Sequence, residues 1–163
     1  MGGNIGGEAA IMARFRCAAS RLPGPRAASR VYRSAPVGQV RDQPDFLNVV
    51  VMITTAALPH DVLRSLQDIE TALGRDRRRE LRWGPRAIDL DLLVMDSLVI
   101  DSDTLTLPHP RMTERAFVLR PLAELVGEDF AIPGTHTTVG ECLARLEVAA
   151  QVTKVITPEA LPV

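Results

Sequence analysis

Paired extended segments interleaved with amphipathic helices predict an α+β sandwich, with helices packed on a largely antiparallel sheet. Three observations carry that expectation. Residues 27–34 and 46–55 are extended and rich in apolar residues, and the loop between them holds Pro36, Gly38, Asp42, Gln43 and Pro44. Val62, Leu63, Leu66, Ile69 and Leu73 recur at helical spacing. Ile88, Leu90, Leu92 and Val94 take the even positions of a third strand, as one buried face requires.

The chain opens with a glycine-rich turn over residues 2–7 that has no strand before it. Ile11, Phe15 and Ala19 then mark a helix that ends near Pro23-Gly24-Pro25. The two extended segments follow, with Asn48 a polar exception in the second. Pro59 opens the helix of the Val62 stripe, and Gly74 suits its C-terminal cap. An arginine-rich loop leads to the 88–94 strand. A short strand near 98–100 and an extended stretch at 104–108 come next. Residues 117–126 read as a helix, with Pro121 a candidate break near its start. Thr138 caps a last helix running through residue 149, and Glu141 completes a capping box. The order is αββα followed by ββα, without internal repeats.

The length of 163 residues suits one domain, here residues 1–163, with a core that needs no staples. A formal charge of −1 excludes a general nucleic-acid binder. Lys154 is the only lysine, and Arg75, Arg77, Arg78, Arg79, Arg82 and Arg86 crowd one short window. Guanidinium forks bind phosphate in a bidentate way, so the cluster points to a phosphorylated ligand. Cys17 and Cys142 are too few and too far apart for a disulfide scaffold and read as buried thiols. No apolar run approaches a membrane span and no signal segment stands out. A soluble cytoplasmic monomer with no membrane partner is expected.

Asp89 and Asp91 are two apart on the predicted strand, so both point away from its apolar face, roughly 7 Å from Cα to Cα. Unpaired carboxylates that close raise each other's pKa unless a cation sits between them. Mg²⁺ is suited to that place, because it takes hard oxygen ligands from one or two carboxylates and from substrate phosphates. Salt bridges to Arg82 and Arg86, or a solvated strand face, are the plain alternatives. Trp83 lies in a Gly-Pro-flanked polar loop, where its ring either stacks on a planar ligand or packs beneath the loop. His109 stands between two prolines with Arg115 six residues on, either as a surface residue or as half of a cation pair facing phosphates. His60 and His136 read as surface residues.

Gly3-Asn4, Tyr32 to Gly38, Asp42 to Asn48, Gln67 to Glu70, Gly74-Arg75, Arg82-Trp83-Gly84-Pro85-Arg86-Ala87-Ile88-Asp89-Leu90-Asp91, Leu107-Pro108-His109 and Arg115 to Leu119 form one set of segments. Together they resemble the 6-hydroxymethyl-7,8-dihydropterin pyrophosphokinase family of folate biosynthesis. The resemblance spans nearly the whole chain, and the Arg82–Asp91 stretch followed by His109 and Arg115 is its most specific part.

The resemblance implies a ferredoxin-like fold and transfer of pyrophosphate from ATP to the hydroxymethyl group of a dihydropterin, releasing AMP, with two Mg²⁺ ions. It implies that Asp89 and Asp91 ligate both ions and that Arg77 and Arg86 join them in the catalytic set. Nucleotide contacts fall to Gln67, Glu70, Arg75, Arg77, Arg82, Trp83, Arg86, Thr106, His109 and Arg115. The pterin pocket is implied to be Ser34, Ala35, Val37, Phe46, Asn48, Trp83 and Phe117, with Trp83 and Phe117 on the two ring faces. A pterin is flat with a polar rim, and phosphoryl displacement asks for positioning and charge neutralisation, so these residue types suit the chemistry. No side chain stands out as a general base, and Asp91 is the nearest acceptor.

Family members open with a full apolar strand before the Gly-Asn turn, whereas this sequence starts at Met1 just ahead of it. The expectation is a truncated first strand and a natural start upstream. Thr104 and Pro110 replace an arginine and a tyrosine common in the family. A non-catalytic phospholigand-binding module and an inactive truncated homologue are the competing expectations.

Overall fold

The computed structural model describes residues 1–40, 42–76, 83–147 and 154–156. Its elements run β1 (Gly2–Gly3), α1 (Gly7–Ala19), β2 (Pro25–Ala28), β3 (Val31–Ser34), β4 (Phe46–Asn48), β5 (Val51–Ile53), α2 (Pro59–Ala72), β6 (Ile100–Asp101) and β7 (Thr106–Leu107). A 3₁₀ turn (Met112–Glu114), α3 (Ala116–Val126), α4 (Val139–Glu147) and β8 (Lys154–Ile156) complete the chain. The mixed α+β class is the expected one, and the ladders among these strands are antiparallel.

The central sheet has the order β1-β4-β3-β8. Each predicted strand of the first hairpin is two strands. β3 and β4 pair through Tyr32 with Asn48 and Ser34 with Phe46, while β2 and β5 pair separately. The break has a local cause. The Ser29 hydroxyl accepts the Val50 N–H at 3.0 Å, where a carbonyl would stand in an unbroken ladder. Ser29 N–H still donates to Val50 O at 2.9 Å, so the two halves stay joined.

Val49 and Val50 show how the sheet is covered. Val49 packs with Ile11 and Phe15 of α1 and with Val62, Leu66 and Ile69 of α2. Val50 packs with Leu119 and Leu122 of α3 and with Val139 and Leu143 of α4. Consecutive strand residues point to opposite faces, so helices lie on both sides of the sheet. Extended Leu58 and Pro59 start α2, and Gly74, at φ 92°, ends it. Pro121 sits inside α3 without ending it. At α4 the expected box forms: Glu141 N–H donates to Thr138 Oγ1 at 3.2 Å and Thr138 N–H to Glu141 Oε2 at 3.0 Å. The expected continuation to residue 149 lies outside the described residues. Cys142 is buried as expected, whereas Cys17 is half-buried.

The segment 88–94 departs from expectation. Ile88 and Leu90 are buried, but among the described residues the only bridge is that of Asp89 with Gly2. On its other side the segment and Val51–Ile53 line one cavity instead of pairing with each other. β1 therefore lies between β4 and Asp89. Gly3 is needed there because a Cβ would stand 2.7 Å from the Ala87 carbonyl oxygen.

Two stability predictions follow from these contacts. Gly3→Ala should lower unfolding free energy by about 1–3 kcal/mol in urea titrations, since Ala87 is backbone and has to shift. Glu124 of α3 accepts Arg30 Nε at 2.7 Å, Arg30 N–H at 2.8 Å and the Tyr32 hydroxyl, tying α3 to β3. Burial pushes its pKa up, but the hydrogen bonds from Arg30 and Tyr32 outweigh it and hold the carboxyl below its usual value. A depressed carboxylate stabilises the fold above its unfolded pKa and stops doing so as pH falls through its folded pKa. Glu124→Gln should cost about 1 kcal/mol near neutrality, and the gap should close on acidification through the carboxylate range.

Candidate functional site

The short β1 and its turn fix the site's floor. Gly2 N–H donates to Asp89 O at 2.9 Å, and Asp89 N–H returns the bond to Gly2 O at 2.7 Å. Next to it, Asn4 is almost fully buried. It takes the Arg86 N–H on Oδ1 at 2.9 Å and donates through Nδ2 to Gln43 Oε1 at 3.0 Å and Pro44 O at 2.9 Å. Gln43 Nε2 in turn donates to Trp83 O at 2.8 Å. Asn4 and Gln43 thus hold together the turn, the 36–44 loop and the Trp83–Arg86 stretch. Their motif pieces were legible, but nothing in their spacing showed this bracing role.

The carboxylate wall is occupied by guanidinium. Asp89 Oδ1 accepts Arg75 Nη1, and Asp89 Oδ2 accepts Arg86 Nη1 at 2.7 Å. Burial pushes the Asp89 pKa up, yet Arg75 and Arg86 outweigh it and hold the group ionised below its usual range. Asp91, two residues on, is exposed and lines the same cavity. Behind them Glu70 is 1% exposed; its Oε1 accepts the Leu90 N–H at 2.6 Å as well as Arg75 Nη1. Glu70 therefore stands behind the aspartates and is not among the residues lining the cavity.

His109, Arg111, Arg115 and Phe117 line the same cavity. His109 N–H donates to Leu93 O at 2.8 Å, and its Nδ1 accepts the Arg111 N–H at 3.2 Å, which places the neutral ring's proton on Nε2. Burial lowers the His109 pKa, and Arg115 adds to that against Asp91 and Asp89. His109 is thus favoured as a neutral donor beside Arg115 rather than as a second cation. The Arg111 guanidinium lies 4.4 Å from the Trp83 ring centroid, and that of Arg115 lies 5.7 Å from the Phe117 ring. Arg111 had no sequence signal beyond its place between two prolines' neighbourhood and Arg115. Gly38, at φ 117°, packs against Trp83, where a Cβ would come within 3.0 Å of the indole.

At the far end Ser34 and Asn48 are brought together by the β3–β4 register, with Asn48 Nδ2 donating to Ser34 Oγ at 2.9 Å. Phe46, Ala35, Val37, Trp83 and Phe117 line the same space, a cavity of ≈ 790 Å³. Arg75, Arg86, Asp89, Asp91, His109 and Arg115 line it too. Gln67 is exposed on α2 and Thr106 lies on β7, both outside its lining. Arg77 and Arg82 fall outside the described residues.

The donor set suits a divalent ion shared with phosphate. Asp89 and Asp91 offer the hard oxygens such an ion takes, and among the described residues no group of three His, Cys, Asp or Glu side chains is placed to hold a metal by itself. Among the described residues Arg86 Nε is buried with no hydrogen-bond partner. Among the described residues no helix is long and apolar enough to cross a membrane.

The sequence pattern that defines the 7,8-dihydro-6-hydroxymethylpterin-pyrophosphokinase family matches residues 1–127. The chain is 44% identical over 149 residues, 90% of each protein, to the 2-amino-4-hydroxy-6-hydroxymethyldihydropteridine pyrophosphokinase of Methylorubrum extorquens (strain AM1). It is 46% identical over 119 residues, 71% of each, to the protein of that name from Pseudomonas aeruginosa. The Bacillus subtilis pyrophosphokinase is 50% identical over 97 residues, 60% of this chain and 56% of that protein. A match over that share of the sequence, on the motifs that build the cavity, decides the matter: the chain belongs to the 7,8-dihydro-6-hydroxymethylpterin-pyrophosphokinase family.

Proposed function

We propose that this cavity is where the chain carries out the family's reaction. Pyrophosphate passes from ATP to the hydroxymethyl group of 6-hydroxymethyl-7,8-dihydropterin, giving AMP and the pterin diphosphate, a step of folate biosynthesis. Family membership does not favour the non-catalytic module. The observation that carries the site assignment is the meeting, in one cavity, of an aspartate pair, several arginines and a pocket with a polar rim.

Ser34 and Asn48 supply fixed polar groups at the pterin end, and Phe46 and Phe117 supply apolar surface for its faces. Trp83, with Arg111 over its ring, stands where an aromatic wall is needed. Arg75, Arg86, His109 and Arg115 face the phosphates, with Arg77 and Arg82 as further members of that group. Gln67, Glu70 and Thr106 lie outside the cavity lining, and Glu70 bears on the nucleotide through Arg75, which it holds. Asp89 and Asp91 would hold two Mg²⁺ ions. Such ions, when bound, polarise the phosphoryl oxygens and lower the pKa of the attacking hydroxyl. Asp91 is the acceptor nearest to that proton. The scaffold under this site is read as ferredoxin-like, supported by the order β1, α1, β3, β4, α2 and the bridged Asp89 segment, with α1 and α2 sharing one core. A monomeric single domain acting on small molecules in the cytoplasm, where ATP is supplied, completes the proposal.

Incubating the protein with ATP, Mg²⁺ and the hydroxymethyl-dihydropterin should yield AMP rather than ADP. Asp89→Ala and Asp91→Ala should each cut AMP formation by at least about a hundredfold, the order expected when a principal electrostatic contact is removed, while circular dichroism stays near wild type. Full turnover in either variant would refute the metal role. Arg86→Ala should slow the single-turnover chemical step by about tenfold to a hundredfold with pterin affinity little changed. An equal loss in pterin binding would instead place Arg86 in the pterin pocket.

A further inference from the structure

Arg75 sits where an ion should. Its Nη1 bonds Glu70 Oε1 and Asp89 Oδ1 at once, and its side chain is only 7% exposed. Its backbone is tied down as well, because Arg75 N–H donates to Glu70 O at 3.0 Å just after α2. With Arg86 on Oδ2, each oxygen of Asp89 already receives a guanidinium. A divalent ion brought to that carboxylate meets two positive groups in a partly buried place, where like charges are poorly screened.

We propose that Arg75, braced on the buried carboxylate of Glu70, is a stand-in cation at Asp89, and that ion binding and release of Arg75 into the cavity are one exchange. The proposal rests on the assignment of Asp89 and Asp91 as ion ligands. Charge requires the exchange in both directions. Without an ion, Asp89 and Glu70 share the Arg75 charge across the back of the site. With an ion on Asp89, Arg75 is repelled from it, and its fixed backbone confines the side chain to positions lining the cavity. Phosphate oxygens there are bidentate acceptors for a displaced guanidinium. Nucleotide phosphate and ion therefore help each other bind, since the first draws Arg75 off the carboxylate that the second needs. Glu70 is a positioning residue in this scheme: it touches neither ligand, and it sets where Arg75 waits.

The test uses Mn²⁺ as probe on nucleotide-free protein, with binding followed by electron paramagnetic resonance. Arg75→Gln keeps N–H donors for Glu70 and removes the positive charge. It should bind Mn²⁺ about tenfold more tightly than wild type, the size expected from removing one neighbouring charge at the ligand. A purely structural role for Arg75 would lower thermal stability and leave Mn²⁺ affinity as it was. Unchanged or weaker affinity in Arg75→Gln, with wild type binding the ion and Asp91→Ala failing to, overturns the exchange and leaves the ion site standing. Binding that survives Asp91→Ala overturns both. A second measurement needs no variant: Mg²⁺ alone should increase modification of Arg75 by an arginine-specific dicarbonyl, read by peptide mass. Protection of Arg75 that Mg²⁺ does not alter overturns the exchange as well.

Discussion

The aspartate segment is held in place mostly by groups that are not part of a sheet, and the site's geometry depends on how that is done. A buried strand ordinarily meets its backbone groups with two neighbours. Among the described residues, 86–91 have one bridge, to Gly2, and one further backbone bond, from Asn4 N–H to Arg86 O, and side chains add to these: Glu70 takes the Leu90 N–H and Asn4 takes the Arg86 N–H. Farther along, His109 N–H meets Leu93 O. Each of these bonds leads to a different part of the chain. The turn after β1, the end of α2 and the loop before α3 are therefore fixed relative to the two aspartates through the same few bonds. Gly3 is small because the Ala87 carbonyl has to approach it for the Gly2 bridge to form.

Charge explains why so many of these bonds converge. A buried ion pair gains little stability after desolvation, but breaking one side of it is costly, so it fixes geometry more than it strengthens the fold. Glu70 and Arg75 form such a pair, and Asp89 and Arg86 extend it outward toward solvent. Two further cations of the cavity are kept by aromatic rings: Arg111 by Trp83, Arg115 by Phe117. Burial and Arg111 disfavour the charge on Arg115 more than Asp91 and Asp89 favour it. A pair of that kind gains most from a polyanion, and the neutral His109 adds a donor without adding repulsion.

Local patterns were legible in the sequence. The α2 stripe, the Gly74 stop, the Thr138–Glu141 box and the site motifs all depend on neighbours within a few residues. What depended on distant partners was not. The break at Ser29 needs Val50, and the missing ladder along 88–94 depends on what lies across the cavity from it. β8 pairs with β3 from far along the chain and had no signal strong enough to read as a strand. Glu70 sits on the buried stripe of α2, one residue from Ile69, and its bond to the Leu90 N–H spans a separation that no local pattern shows. Arg77 and Arg82, prominent in the sequence pattern, lie outside the described residues; Arg75 and Arg86 are the members of that arginine group that the structure describes.

The charge balance of the site limits what substrate binding can change. Glu70, Asp89 and Asp91 face Arg75, Arg86, Arg111 and Arg115, so the described charges nearly cancel before any ligand arrives. On the proposed reading, a nucleotide triphosphate and its divalent ions also largely cancel each other. Loading the site then alters which groups are paired far more than it alters total charge. That favours residues able to exchange one partner for another without a change in protonation. Arginine does this better than lysine or histidine, because it keeps its charge when buried and offers carboxylate and phosphate the same planar fork. The near-exclusive use of arginine around Asp89 is therefore a chemical property of the site, whatever the chain's wider composition owes to other causes.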